Sequence, residues 1–227
     1  MGTILVLAAY LVYLIFCFRF FVRTLLWYRA AKQQTVFGRG NTLSCRTFVS
    51  TVIDILFFTR LFHTNKLLWT ASWTFHLSLL LIFIRHSWYF MNPVPDFIIF
   101  MQPAGVVAGY VLPFSLLIIL IMRTAGRKDR YISTYNYFLV GLLLMISLTG
   151  LVMRNWFQPD LIAVKDFITG ILIFQPDVLP DSSLFTLHFL FALTLLLYVP
   201  FHLFTAPIVT FEANRREERL GMILHEK

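Results

Sequence analysis

Four histidines fall as two pairs on two long apolar stretches. His76 and His86 lie ten residues apart in LLWTASWTFHLSLLLIFIRHSWYF, and His188 and His202 lie fourteen apart in SSLFTLHFLFALTLLLYVPFHLF. An ionisable side chain within a bilayer is costly and reads first as functional. Neutral imidazole is a good ligand for iron and other transition metals. Two spans with two histidines each can hold two stacked b haems, each between a pair of imidazoles.

The elements that must position these residues are membrane spans. The chain has 227 residues, of which 59% are hydrophobic, 17% aromatic and only 13% charged. A spanning helix needs about 20 apolar residues. The apolar runs predict an all-α membrane protein with five transmembrane helices, over about 3–28, 68–89, 97–122, 131–156 and 183–208. Together they make one integral-membrane domain over 1–227. The first run is too long for a signal peptide and lacks a basic leader, so it reads as an uncleaved anchor. Between the first two spans, the stretch at about 46–62 mixes apolar residues with Ser50, Thr51, Asp54, Thr59 and Arg60. That pattern predicts an amphipathic cytoplasmic helix that either lies on the membrane or docks a partner. Before the last span, LIAVKDFITGILIF suggests a second interfacial helix, ended near Pro176. Gly105 and Gly109 form a GxxxG in the third span, compatible with close helix packing.

The net charge of +8 sits beside the spans and is not a nucleic-acid footprint. Arg23, Arg29, Lys32, Arg39, Arg46, Arg60 and Lys66 follow the first span; Arg123, Arg127, Lys128 and Arg130 follow the third; Arg215, Arg216 and Arg219 follow the fifth. The other two loops are poor in base and carry Asp96, Asp160, Asp166, Asp177 and Asp181. The positive-inside rule then puts the N-terminus outside and the C-terminus in the cytoplasm, in a multi-pass protein of the cytoplasmic membrane. The two cysteines, Cys17 and Cys45, fall in different environments. There is no CxxCH and no cysteine cluster, which excludes c-type haem and iron–sulfur ligation by this chain.

With that orientation, depth decides the histidine pairing. His76 and His202 share the inner level; His86 and His188 share the outer one. The separations along the two spans are about 15 and 21 Å, of the order needed for two stacked haems. At about 100° per residue, both histidines of each span can face one interior. A zinc or copper site would instead gather its ligands at one depth. His63, just before the second span, is an interfacial residue or a substitute inner ligand, and His225 lies in the polar tail. Arg85 and Arg154 lie at the outer level, either holding haem propionates or reaching to headgroups. Trp88, Tyr89, Asn92 and Asp96 form an aromatic and polar cluster beyond His86, either an interface belt or the place where a quinol delivers electrons.

On these residues the chain resembles the gamma subunit of respiratory nitrate reductase. It is similar too to the membrane subunits of dissimilatory sulfite-reductase-linked, heterodisulfide-reductase and high-molecular-weight cytochrome c complexes, and looks nearest to the membrane cytochrome b subunit of the high-molecular-weight cytochrome c complex of sulfate reducers. The resemblance rests on five spans and on His76, His86, His188 and His202. It implies two bis-histidine b haems and electron exchange with menaquinone. Two departures stand out: the span-five histidines are closer together than in the nitrate reductase subunit, and the short loop Asn92–Asp96 lacks that family's quinone-site lysine.

The expected function is therefore a membrane subunit of an oxidoreductase complex, not catalytic alone. It would pass electrons between menaquinol, or an external multihaem cytochrome c, and a cytoplasmic iron–sulfur subunit, beside other membrane subunits in the lipid bilayer. One alternative is a quinone-independent wire or a haem-binding anchor. Another is a non-redox transporter or proton channel with a histidine relay, which should show broken helices or inverted repeats; the sequence shows neither.

Overall fold

Long runs of Leu, Ile, Val, Phe and Ala with few charges can satisfy their backbone in a bilayer only as helix. The computed structural model describes residues 2–37, 45–125, 134–176 and 178–225, and among these there is no strand. The helices are α1 (Gly2–Phe37), α2 (Cys45–Phe57), α3 (Thr59–Thr64), α4 (Lys66–His86), α5 (Asp96–Ala125), α6 (Thr134–Asn155), α7 (Leu161–Leu172) and α8 (Ser183–His225), with a 3₁₀ turn at Ser87–Phe90. Among the described residues, five stretches are long and apolar enough to cross a membrane: Gly2–Leu26, Lys66–Phe90, Asp96–Ala125, Asn136–Asn155 and Ser183–Pro200. The expected all-helical, five-span class is thus the one observed. The last helix runs well past residue 208, because EANRREERLGMILH continues it as polar helix.

The chain falls into two compact units: Met1–Leu11 with Leu67–Leu195, and Val12–Lys66 with Leu196–Lys227. In the first, α5 and α6 run antiparallel. The Tyr110 hydroxyl donates to Asn155 Oδ1 at 2.7 Å towards one end, and the Tyr137 hydroxyl donates to the Arg123 carbonyl at 3.1 Å towards the other. Between these two bonds lie Leu112, Leu116 and Ile119 of α5 and Leu139, Val140, Leu142 and Leu143 of α6, all buried.

Helix α7 starts because Asp160 caps it, its carboxylate accepting from the Ile162 and Ala163 amides at 2.9 and 3.4 Å. One face buries Val164 and Phe167 against Leu5, Val6 and Phe185, with Tyr10 and Tyr89 packed alongside. The helix ends at Leu172, a little before the expected stop at Pro176. Gln175 donates its amide to the Gly170 carbonyl at 2.8 Å, and Phe174 takes the left-handed conformation (φ 59°) that glycine usually supplies. Phe174 is held there by stacking on Tyr10, ring centres 5.3 Å apart.

In the second unit, the predicted 46–62 helix is two helices broken at Phe58, whose φ is 50°. Val52, Ile53, Leu56 and Phe57 are exposed on α2, while Thr51 is buried. Asn214 of α8, also buried, donates its amide to Thr51 Oγ1 at 3.2 Å and to Asp54 Oδ2 at 2.9 Å. Arg60 donates to Asn214 Oδ1 and pairs with Asp54 at 3.6 Å and Glu217 at 3.0 Å. Thr59 donates to Asp54 across the break. Polar groups thus tie the linker helices to the extension of α8. Arg19 of α1 donates to the Leu197 carbonyl of α8 at 3.0 Å.

Candidate functional site

Helices α4 and α8 bring His86 and His188 together. Their ring centres are 6.5 Å apart and the planes differ by 17°. That is too far for the rings to touch. Two imidazole–metal bonds of about 2 Å and two ring radii of about 1.1 Å span about 6.2 Å, so the separation is close to that of two imidazoles either side of one metal ion. Among the described residues no third His, Cys, Asp or Glu joins them. Two donors alone suit a metal that brings its other ligands with it, as haem iron does.

Hydrogen bonds at Nδ1 leave Nε2 as the nitrogen that could take a metal. His86 Nδ1 donates to the Ile82 carbonyl at 2.8 Å, one turn back on its own helix. His188 Nδ1 meets Thr149 Oγ1 of α6 at 2.9 Å. With the proton on Nδ1, Nε2 carries the lone pair, the usual state of a metal-binding histidine. His76 follows the same pattern, donating from Nδ1 to the Ser72 carbonyl at 2.7 Å, with Phe75 set edge-on to its ring. His202 lies on α8, but its side chain falls outside the described residues, so the inner pair has no observed geometry. His63 is exposed in the last turn of α3.

Arg85 precedes His86 and is half-buried. It donates to the Gln102 carbonyl at 3.3 Å, and the Gln102 amide returns a bond to the Arg85 carbonyl at 3.4 Å. Arg154 is exposed at the end of α6, close enough for its charge to act on Arg85 and Tyr89. Among the described residues neither arginine has a carboxylate within ion-pair distance. Arg85, Trp88, Tyr89, Gln102 and Leu161 line a cavity of about 230 Å³. Tyr89 also packs near His86, ring centres 6.0 Å apart, and Lys165 of α7 sits 4.6 Å over the Trp88 ring. Asp96 is exposed in the first turn of α5 and is not among the residues lining the cavity. The basic cluster at 127–130, after the third span, lies outside the described residues.

Sequence reasoning passed over Thr149, Gly150 and Gln102. A side chain at Gly150 would begin 3.4 Å from His188 Cε1, so the imidazole rests on bare backbone there. Nothing in SLTG sets these two apart from ordinary span residues; only their place one and a half turns before the end of α6 does.

The fold and this site define a multi-pass α-helical membrane protein with a facing histidine pair. No protein-family model matches the chain, and no solved structure matches it. Two curated proteins do. The Hdr-like menaquinol oxidoreductase cytochrome b-like subunit of Archaeoglobus fulgidus is 32% identical over 150 residues, which cover 59% of this chain and 45% of that protein. The protein of the same name from Archaeoglobus profundus is 33% identical over 153 residues, covering 60% of this chain and 46% of that one. The matched stretch spans less than half the length of either relative. The likeness agrees with the resemblance to membrane cytochrome b subunits drawn from the histidine pattern.

Proposed function

We propose that this chain is a membrane cytochrome b subunit of a respiratory redox complex. It holds two b haems, one between His86 and His188 near the outer face and one between His76 and His202 near the cytoplasm. The facing pair at 6.5 Å is the observation that carries this reading. When bound, haem supplies one-electron redox chemistry. The chain's own residues do the rest. The Nδ1 bonds keep His86, His188 and His76 in the ligating tautomer. Arg85 and Arg154 offer two uncompensated positive charges beside the outer pair, suited to carboxylates such as propionates.

The N-terminus lies outside and the C-terminus in the cytoplasm, in line with the basic loops. Electrons pass between menaquinol at the outer end and a cytoplasmic iron–sulfur subunit seated on the linker helices, 127–130 and the α8 extension. The cavity beside Tyr89 and Gln102 is the place for a quinol headgroup, with Trp88 packed at its wall and Asp96 as the outward proton acceptor. Its volume favours a second reading. At about 230 Å³ it is smaller than most ligand pockets, which run to about 300 Å³ and above. An external multihaem cytochrome touching this end directly needs no such pocket, and the chain is then a quinone-independent wire.

A reduced-minus-oxidised spectrum and haem quantitation of the purified complex test the main reading. Two b haems are expected, and His86→Ala and His188→Ala should each lose the same one. Two low-spin haems surviving in all four single histidine mutants would refute the ligand assignment. Titration with a menaquinol analogue while following haem reduction separates the quinone from the cytochrome route.

A further inference from the structure

Resting on the haem reading above, we propose that Thr149 is a positioning residue for the outer haem. It fixes the tautomer of His188 and sets how strongly that ring donates to the metal. Thr149 is 6% exposed, and its oxygen lies 2.9 Å from His188 Nδ1. The same hydroxyl is 2.9 Å from the Met145 carbonyl and 3.0 Å from the Ile146 carbonyl. Carbonyls only accept, and a hydroxyl has one proton, so that proton is committed to its own helix. The oxygen is left as an acceptor, and His188 Nδ1–H is the donor. Gly150, the next residue, leaves room for the ring edge, with Cε1 3.4 Å from where a Cβ would stand. Threonine and glycine together thus hold the ring on two sides.

The two ligands of this site are not held alike. His86 donates to a backbone carbonyl that no substitution removes. His188 donates to the Thr149 hydroxyl, which a substitution can remove, with the Ile146 carbonyl of the same turn close by. A hydrogen bond from the outer nitrogen raises the basicity of a ligating imidazole. A more basic imidazole favours the oxidised, more highly charged metal and lowers its potential. Among the described residues, Thr149 is therefore the one side-chain handle on the donor strength of this pair.

The test compares the intact complex carrying wild-type, Thr149→Val, Thr149→Ser and His188→Ala chains, by potentiometric titration and low-temperature paramagnetic resonance. The component missing in His188→Ala is the outer haem. In Thr149→Val its midpoint should shift upward and its low-spin signal should change, while the other component stays put. Thr149→Ser, which keeps the hydroxyl, should restore both. If Thr149→Val loses the outer haem but Thr149→Ser keeps it with native properties, the hydroxyl is again the working group. An outer haem unchanged in Thr149→Val, or Thr149→Ser behaving as Thr149→Val, overturns the role of the hydroxyl and leaves the haem reading standing. A wild-type complex with no b haem on this chain, or His188→Ala with both components intact, overturns the haem reading itself.

Discussion

The stem of Arg85 fills the space that a side chain at Gly105 would need. A Cβ there would stand 2.7 Å from Arg85 Cβ and 3.1 Å from the Leu81 carbonyl oxygen, so α4 and α5 touch backbone to side chain at this point. The second glycine of the motif, Gly109, has nothing within 4 Å of the same position. Gly105→Ala must push the helices apart next to His86. A loss of about 1–3 kcal/mol is expected, as for overpacking elsewhere, with reduced occupancy of the outer haem. Gly109→Ala should be silent. Thermal unfolding in detergent and haem absorbance measure both; equal effects of the two changes would show that the contact does not matter.

Arg85 and Arg154 differ in burial, and their contributions should differ with it. Arg85→Gln removes a half-buried charge beside the histidine pair. On the haem reading proposed above, losing one charge-assisted bond to a propionate, about 1.5 kcal/mol, should weaken outer-haem retention roughly tenfold. Arg154 is exposed and screened, so Arg154→Gln should have the smaller effect. Rates of haem transfer to an apo-globin acceptor give the order, and a larger effect at Arg154 would contradict it.

Asn214 is buried and bridges Thr51, Asp54 and Arg60. Replacing it with leucine removes its three side-chain hydrogen bonds to these groups, at a cost of about 1–3 kcal/mol. The linker helices should then detach from α8 more often, and limited proteolysis should cut within 45–64 sooner than in the wild type. The haem spectrum should not change. An unaltered cleavage rate would mean that the network adds nothing to the docking of α2 and α3.

Lys165 lies on α7, over the Trp88 ring. With the N-terminus outside, an impermeant amine reagent should modify it in intact cells. A reporter fused after the C-terminus should be active only in the cytoplasm. The reverse pattern would exchange the inner and outer labels of the haems.

The five spans were legible because apolar runs of that length have one solution in a bilayer. The common depth of His86 and His188 was legible too, since helix rise and antiparallel direction fix it. The break at Phe58 and the end of α7 at Phe174 were not. Both need a positive φ, glycine is the usual signal, and here two phenylalanines adopt it under packing that only the folded chain supplies. The run of α8 to His225 was hidden because its last part is charged and has no apolar period to read. Thr149 was hidden for another reason. A threonine bonded to its own helix is commonplace, and its second partner lies thirty-nine residues away.

That distance bears on the order in which the molecule is built. The ring of His86 is oriented by a carbonyl four residues back, so its tautomer is set as soon as one turn of α4 has coiled. The ring of His188 waits for two spans to find each other, and such non-local contacts form late. A newly inserted chain therefore presents one prepared imidazole and one undecided one. On the haem reading proposed above, the meeting of α6 with α8 is the step at which the outer site becomes competent, and it sets the earliest moment at which a cofactor can be captured there.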